Sequence, residues 1–488
     1  MNSEIRVLEP TTVWNNFANL NAVPRPSKKE ERVIAFMVDF GKNLNLETVV
    51  DVVGNVIIKK PATAGYENRK TVVLQSHLDM VHQKNSDTVF DFDSQGIEMY
   101  VDNDWVTAKG TTLGADNGLG VAAIMSVLEA NTIAHPAIEA LFTIDEETGM
   151  TGAMGLEAGY LEGDILLNLD TEEDDEIGMG CAGGIDVTAK RTYNLEKTPE
   201  NVAAYTISIS GLNGGHSGMD IHKGLGNANK IMNRLLFEGF ENFGLRVYEI
   251  NGGSLRNAIP RESNAAIVID TISKEPFLFE INESISNITK EFKTLEPNLH
   301  IEVSETKTTP SQVMELGVQE GFIKSIHAAV NGVYKMSPDI DGLVETSNNI
   351  AKIVVENGEI TVNCLTRSSS ETNKTDLANS IRSAFELSGF EVTLSGDYPG
   401  WLPNTSSEIL TVLDNLYEKL HGEKAKIAAC HAGLECGILG QNYPNMDMVS
   451  FGPTILGAHS PDERASISST QKFWKFLVEI LKNTPNKA

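Results

Sequence analysis

The sequence predicts an α/β fold in two parts: a mixed sheet flanked by helices, and a smaller α+β domain inserted into it. Three observations carry this reading. Short apolar runs at 71–75, 139–145 and 164–170 alternate with helical patterns, the rhythm of an α/β sheet. Each run ends in, or is followed within two residues by, His, Asp or Glu. Between about 186 and 398 the chain changes character, and after Pro399-Gly400-Trp401 the first pattern resumes. Residues 1–185 and 399–488 are therefore read as one discontinuous domain and 186–398 as an insertion.

Residues 10–44 are helical in two pieces, broken near Pro24 and Pro26; the second piece has an apolar face at Val33, Phe36, Met37, Phe40 and Leu44. The stretch 49–59 alternates around Gly54-Asn55, a hairpin turn signal. The β-branched, apolar strand 71–75 then gives way to Ser76-His77-Leu78-Asp79. Ligands of open α/β sheets bind at the carboxyl ends of the strands. His77 there fits either a metal ligand whose ring a nearby carboxylate holds, or a plain surface turn. A polar insert, 83–109, precedes Gly110-Thr-Thr-Leu-Gly-Ala-Asp116-Asn-Gly118 and an apolar helix over 118–130. Asp116 suits an N-cap at that helix start as well as a ligand. Strand 139–145 leads into Glu146-Glu147. Neighbours in extended chain point to opposite sides, so one can bind metal while the other stays free. Strand 164–170 ends in Asp170.

In the insertion, strand 205–210 leads to the glycine-rich loop Gly211-Leu-Asn-Gly-Gly-His216-Ser217-Gly218 and a helix over 226–237. Paired strands 246–250 and 264–272, helix 277–295 and strand 300–305 follow. A similar order recurs as helix 312–334, strands 349–356 and 359–367, helix 374–387 and strand 391–395. This describes a sheet with helices on one side, in two similar halves. The final part offers helix 408–420, strand 426–429 before Cys430-His431-Ala-Gly-Leu-Glu435-Cys436, strand 447–451 running on to His459, and helix 470–481.

Lys plus Arg number 39 against 67 Asp plus Glu, a net charge of -28. So acidic a chain repels phosphate backbones and anionic bilayers, so neither nucleic acid nor a membrane is an expected partner. No apolar run approaches the roughly 20 residues that span a bilayer, and MNSEIRVLEP lacks the layout of a signal peptide. Cys181, Cys364, Cys430 and Cys436 form no C-x-x-C pair, which argues against a zinc ribbon or a disulfide scaffold. A reduced, cytoplasmic setting is expected.

His77, Asp116, Glu147, Asp170 and His459 each lie just past an apolar strand or ahead of a helix. Two imidazoles and three carboxylates suit a pair of zinc or similar ions with one carboxylate bridging. Glu146 is then a spare carboxylate, placed to take a proton from water. The stretches SHLDMV, TTLGADNGLG, FTIDEETGMTGA, LLNLDTE and GAHSPDE resemble those of the di-zinc metallopeptidases that include the carnosinases and aminoacyl-histidine dipeptidases. The likeness runs from Asn21-Ala-Val-Pro-Arg-Pro-Ser27 to His459.

By that resemblance the five residues are metal ligands with Asp116 bridging, Asp79 orients His77, and Glu146 is the general base. In the family, Asp at the Asp170 position goes with aminopeptidases and dipeptidases, and Glu with carboxypeptidases and deacylases. The resemblance implies hydrolysis of unblocked dipeptides, Xaa-His and carnosine-like ones among them, by a water held between two divalent ions. Zinc is the first choice of ion, with manganese or cobalt as alternatives. A related N-acyl-amino-acid deacylase or carboxypeptidase is the rival reading. His216 resembles the histidine that steadies the oxyanion, although it also suits a loop cap. Arg367 and Asn257 resemble residues that hold the substrate carboxylate, and Glu435 one that meets its amino group. An ordinary ion pair for Arg367 and a packing role for His431 stay open. The family also implies that the insertion is a lid favouring short peptides, and that the protein is a homodimer.

Overall fold

The computed structural model describes residues 2–487, and its chain forms two compact units. The first comprises Met1–Gly180, Trp401–Ala429 and Leu434–Ala488, and the second Cys181–Gly400 with Cys430–Gly433.

The first unit is built on an eight-stranded sheet. Its order is Glu47–Val50, Val56–Lys60, Ile138–Thr143, Val72–His77, Ile165–Asn168, Asp447–Ser450, Glu176–Cys181 and Lys426–Cys430. The four central strands, from Ile138–Thr143 to Asp447–Ser450, are parallel, and antiparallel strands flank them. Val72–His77, Ile138–Thr143 and Ile165–Asn168 are buried along their whole length. A parallel strand covered on both faces needs such a continuous run rather than alternation. Helix Ala115–Glu129 packs against Val72–His77 and is buried almost all round, which explains why it is apolar on every side.

Several elements differ from the sequence expectation. The strand ahead of the SHLD segment runs on through His77, because Ser76 and His77 find partners in Phe142 and Thr143. Strand Ile138–Thr143 stops early: Asp145 has φ 54, and Glu146 and Glu147 open a one-turn helix, Glu146–Gly149. Opposed directions in extended chain therefore do not apply to that pair; successive helical residues are rotated by about 100°. The polar insert contains a hairpin, Met99–Asp102 with Trp105–Ala108, turned at Asn103 with φ 54. The 312–334 helix breaks into strand Gln312–Met314, helix Leu316–Ala328 and strand Gly332–Met336. The helix ends where Ala329 turns extended (φ -62, ψ 130), and Val333 and Lys335 then pair with Ser347 and Thr346 of Val344–Glu356 across a bulge at Tyr334.

The second unit is a nine-stranded antiparallel sheet. Its main path runs His300–Glu305, Val202–Ser210, Ser263–Asp270, Arg246–Gly252, Val344–Glu356, Glu359–Ser368, Gly183–Thr192 and Glu391–Tyr398. Alternate strand residues, such as Tyr205, Ile207 and Ile209, share one core with helices Ala228–Phe243, Lys274–Phe292, Leu316–Ala328 and Glu371–Glu386.

Candidate functional site

Three of the parallel strands of the first unit deliver polar groups at their carboxyl ends. His77 closes its strand level with Thr143, the last strand residue before Glu146 and Glu147, and Asp170 follows Asn168 by two residues. Asp116 sits at a break in its helix, with φ -79 and ψ 112, so its side chain is free of the helical ladder. It is not an N-cap. One of its oxygens lies 3.2 Å from His77 Nε2 and the other 3.2 Å from His459 Nε2. Asp170 Oδ1 is 3.5 Å from His77 Nε2, and Glu147 Oε2 is 2.9 Å from His459 Nε2. Two donor sets result, His77–Asp116–Asp170 and Asp116–Glu147–His459, each with donor atoms within 4.8 Å of one another. A third set pairs His77 with Glu146 and Glu147.

Asp79 is fully buried behind His77, with Oδ1 3.4 Å from the ring Nδ1. It accepts from Glu146 N at 3.0 Å, Glu147 N at 3.3 Å and Ser27 Oγ at 2.8 Å. One carboxylate thus fixes the histidine ring and the start of the helix bearing both glutamates.

The electrostatics are those of a place that wants positive charge. Burial pushes the Glu146 carboxyl well above the usual range and raises Glu147 and Asp170 too, with Asp116 repelling both of the latter. Burial opposes a charged His77, but Asp170, Asp116 and Asp79 outweigh it and hold the ring's pKa well up. Hydrogen bonds to Asp116 and Glu147 push His459 to about 11. Glu147 Oε1 is buried with no hydrogen-bond partner. An unsatisfied buried carboxylate oxygen beside crowded acids costs free energy unless a cation meets it, and imidazole with carboxylate is a donor set for zinc, manganese or cobalt. The residues fit divalent ions.

Glu435, fully buried in the same unit, accepts at Oε2 from Gln75 Nε2 and Thr143 Oγ1, both at 2.6 Å. Its Oε1 has no partner, and burial lifts its carboxyl to about 7.

His216, Asn257 and Arg367 belong to the second unit. His216 forms a short bridge with Ala258, beside Asn257, whose carbonyl accepts from Ser217 N at 2.8 Å. Its Nδ1 accepts from the N–H groups of Gly218 and Met219 at 3.2 and 3.0 Å. The ring hydrogen therefore sits on Nε2, where the neutral imidazole is a donor. Burial, and then Arg367, bring His216 down to about 4. Arg367 is buried, donates from Nη1 to Tyr398 Oη at 2.8 Å and leaves Nε without a partner, so it is no surface ion pair. The Asn257 side chain is exposed. His431 packs under this loop, with Nε2 2.8 Å from Ser347 Oγ.

Sequence reasoning passed over Arg25, Asn117, Tyr398 and Glu463. Asn117 Nδ2 donates to Asp170 Oδ1. Burial lowers Arg25 to about 10 and lifts Glu463 to about 7. Arg25 and Glu463 lie inside the NAVPRPS and GAHSPDE stretches, so their neighbourhood was marked even though their roles were not.

Residues 73–483 match the family described as Peptidase family M20/M25/M40. The chain is 41% identical over 485 residues to the cytosol non-specific dipeptidase of Escherichia coli (strain K12), covering 99% of this chain and 100% of that protein. The crystal structure of aminoacylhistidine dipeptidase from Vibrio alginolyticus superposes with a TM-score of 0.93 at 45% identity, over 100% of this chain and 99% of that one. A tripeptidase structure from Staphylococcus aureus shares the fold, with a TM-score of 0.57 at 16% identity over 97% and 98% of the two chains.

Proposed function

The chain belongs to peptidase family M20/M25/M40 and is a metallopeptidase, and from that premise we propose that it is a cytosolic dipeptidase acting on unblocked dipeptides, Xaa-His and carnosine-like ones included. The observation that carries the proposal is the position of Asp116, whose two oxygens face two different imidazoles. His77, Asp116 and Asp170 would hold one ion, and Asp116, Glu147 and His459 a second. Zinc is our first choice, with manganese and cobalt open.

Ions bound there would supply Lewis acidity, polarising a scissile carbonyl and making water a stronger acid. The chain's own residues do the rest. Glu146 is the general base: it takes the proton from the attacking water at a carboxylate oxygen and returns it to the leaving amine. Its backbone N–H donates to Asp79, which fixes the helix start that carries it. His216 donates from Nε2–H to the oxyanion as negative charge develops there. Arg367, already braced by Tyr398, and Asn257 hold the substrate carboxylate, with the guanidinium offering paired donors. Glu435 keeps one oxygen free for the substrate ammonium. We extend the proposal to the second unit as a lid that selects short peptides, and to a homodimer.

The test is hydrolysis of a dipeptide panel, carnosine included, alongside N-acyl amino acids. Metal-stripped protein is assayed before and after adding zinc or manganese, with Glu146→Ala in parallel. Dipeptide cleavage restored by metal and absent in the variant supports the reading. Cleavage confined to N-acyl amino acids would replace it with a deacylase.

A further inference from the structure

The loop carrying Asp116 is gripped by a residue outside both donor sets. Glu463, 2% exposed, turns its carboxylate on four successive backbone N–H groups. Leu113 N and Gly114 N donate to Oε2 at 2.7 and 2.9 Å, and Ala115 N and Asp116 N to Oε1 at 2.7 and 3.2 Å. On the carbonyl side the buried Arg25 takes Gly114 O through Nη2 at 2.5 Å, and Leu78 O and Asp79 O through Nη1 at 3.0 Å each. A Cβ on Gly114 or on Gly118 would stand 2.6 Å from Arg25 Nη2, so glycine at both positions is what admits the guanidinium.

This arrangement is expensive as a mere brace. A buried carboxylate must be fully hydrogen-bonded to be tolerated, and this one lies close enough to Asp116 for the two negative charges to repel. The buried Arg25 guanidinium attracts the Glu463 carboxylate and offsets part of that repulsion, and cations shared by Asp116 would offset more. The grip also ends on the N–H of Asp116 itself, at a residue whose backbone no helical ladder fixes.

We propose that Glu463 is a positioning residue for both metal positions, holding the 113–116 loop so that the Asp116 carboxylate is shared between the His77 and His459 sides. The proposal rests on the reading of Asp116 as a common donor given above.

The test uses the full chain as wild type, Glu463→Gln and Glu463→Asp. Gln replaces one acceptor oxygen by an amide that meets two N–H donors head-on; Asp keeps the charge but is shorter. Each protein is stripped of metal and titrated with zinc against a chromophoric chelator. Visible spectra of the cobalt-loaded forms and thermal unfolding of the metal-free forms are also recorded. We expect two zinc ions in the wild type, binding weakened about 10- to 100-fold at both positions in Glu463→Gln, a changed cobalt spectrum, and Glu463→Asp in between. A Glu463→Gln protein that loses only thermal stability, with zinc affinities and cobalt spectrum as in the wild type, overturns the proposal. Should Glu463→Gln not fold by circular dichroism, Glu463→Asp decides on the same two metal readouts. A wild type that takes up fewer than two ions defeats the shared-donor reading, and this role with it.

Discussion

Replacing Asp79 by Asn removes a charge while keeping shape, and the structure says what that costs. Oδ1 of Asp79 faces Glu146 N–H and the His77 ring, and Oδ2 faces Ser27 Oγ and Glu147 N–H. An Asn amide nitrogen must take one of these two places. On the Oδ1 side it orphans Glu146 N–H and donates to His77 Nδ1, forcing the ring hydrogen onto Nε2, the atom that faces Asp116 and Asp170. On the Oδ2 side it orphans Glu147 N–H only, because the Ser27 hydroxyl can turn its hydrogen to Met80 O at 3.2 Å. The second orientation is cheaper and should prevail. One buried N–H then lacks an acceptor, which costs about 1–3 kcal/mol. Zinc affinity falls about 10- to 100-fold as His77 loses its anionic partner. Urea unfolding of the metal-free protein measures the first effect, and chelator competition the second. An unfolding free energy within about 0.5 kcal/mol of wild type together with zinc affinity within about twofold would refute the reasoning, since no orientation of the amide satisfies every donor around that site.

His216→Ala is expected to lower kcat by about a hundred- to a thousand-fold, the usual loss of one oxyanion donor, with zinc content unchanged; near-normal turnover at saturating zinc would remove His216 from the mechanism. His431→Gln concerns acid stability. Burial, and then Arg367, depress the folded His431 to about 3 from the ordinary 6.5. The unfolded chain therefore takes up the proton first, and stability is lost as pH falls from about 6.5 toward 3. Between pH 6.5 and 5 this amounts to about 1.6 kcal/mol. The urea stability of the wild type should fall over that interval by about that much more than the variant's; parallel profiles would contradict a buried neutral ring.

The positions that carry chemistry were legible because an α/β sheet forces them to be. A parallel strand buried on both faces starts as an unbroken apolar run, Val72–Leu74 and Ile165–Leu167 here, so the polar residues that follow it stand out in the sequence. His77, Glu147 and Asp170 were picked out in this way, Asp116 by its place ahead of an apolar helix and His459 by the loop that follows its strand, and the five come together in space. Local rules failed where partners are distant. Ser76 and His77 stay in the strand because of Phe142 and Thr143, and 312–314 leaves the helix to pair with Leu195–Lys197.

The same limit applies to the groups around the site. Arg25 and Glu463 look in sequence like solvated loop charges, the usual fate of such residues. Only the folded chain brings the carboxylate of Glu463 onto the 113–116 loop, some 350 residues away, with the N–H of Leu113 donating to it, and the Arg25 guanidinium onto Gly114 O. Sequence by itself determined which residue types lie at the strand ends, since burial of the strands is written into their composition. Which oxygen faces which imidazole, which hydrogen His216 carries and which charges are buried were decided by tertiary packing, because a hydrogen bond depends on distance and direction between atoms that the chain order does not relate.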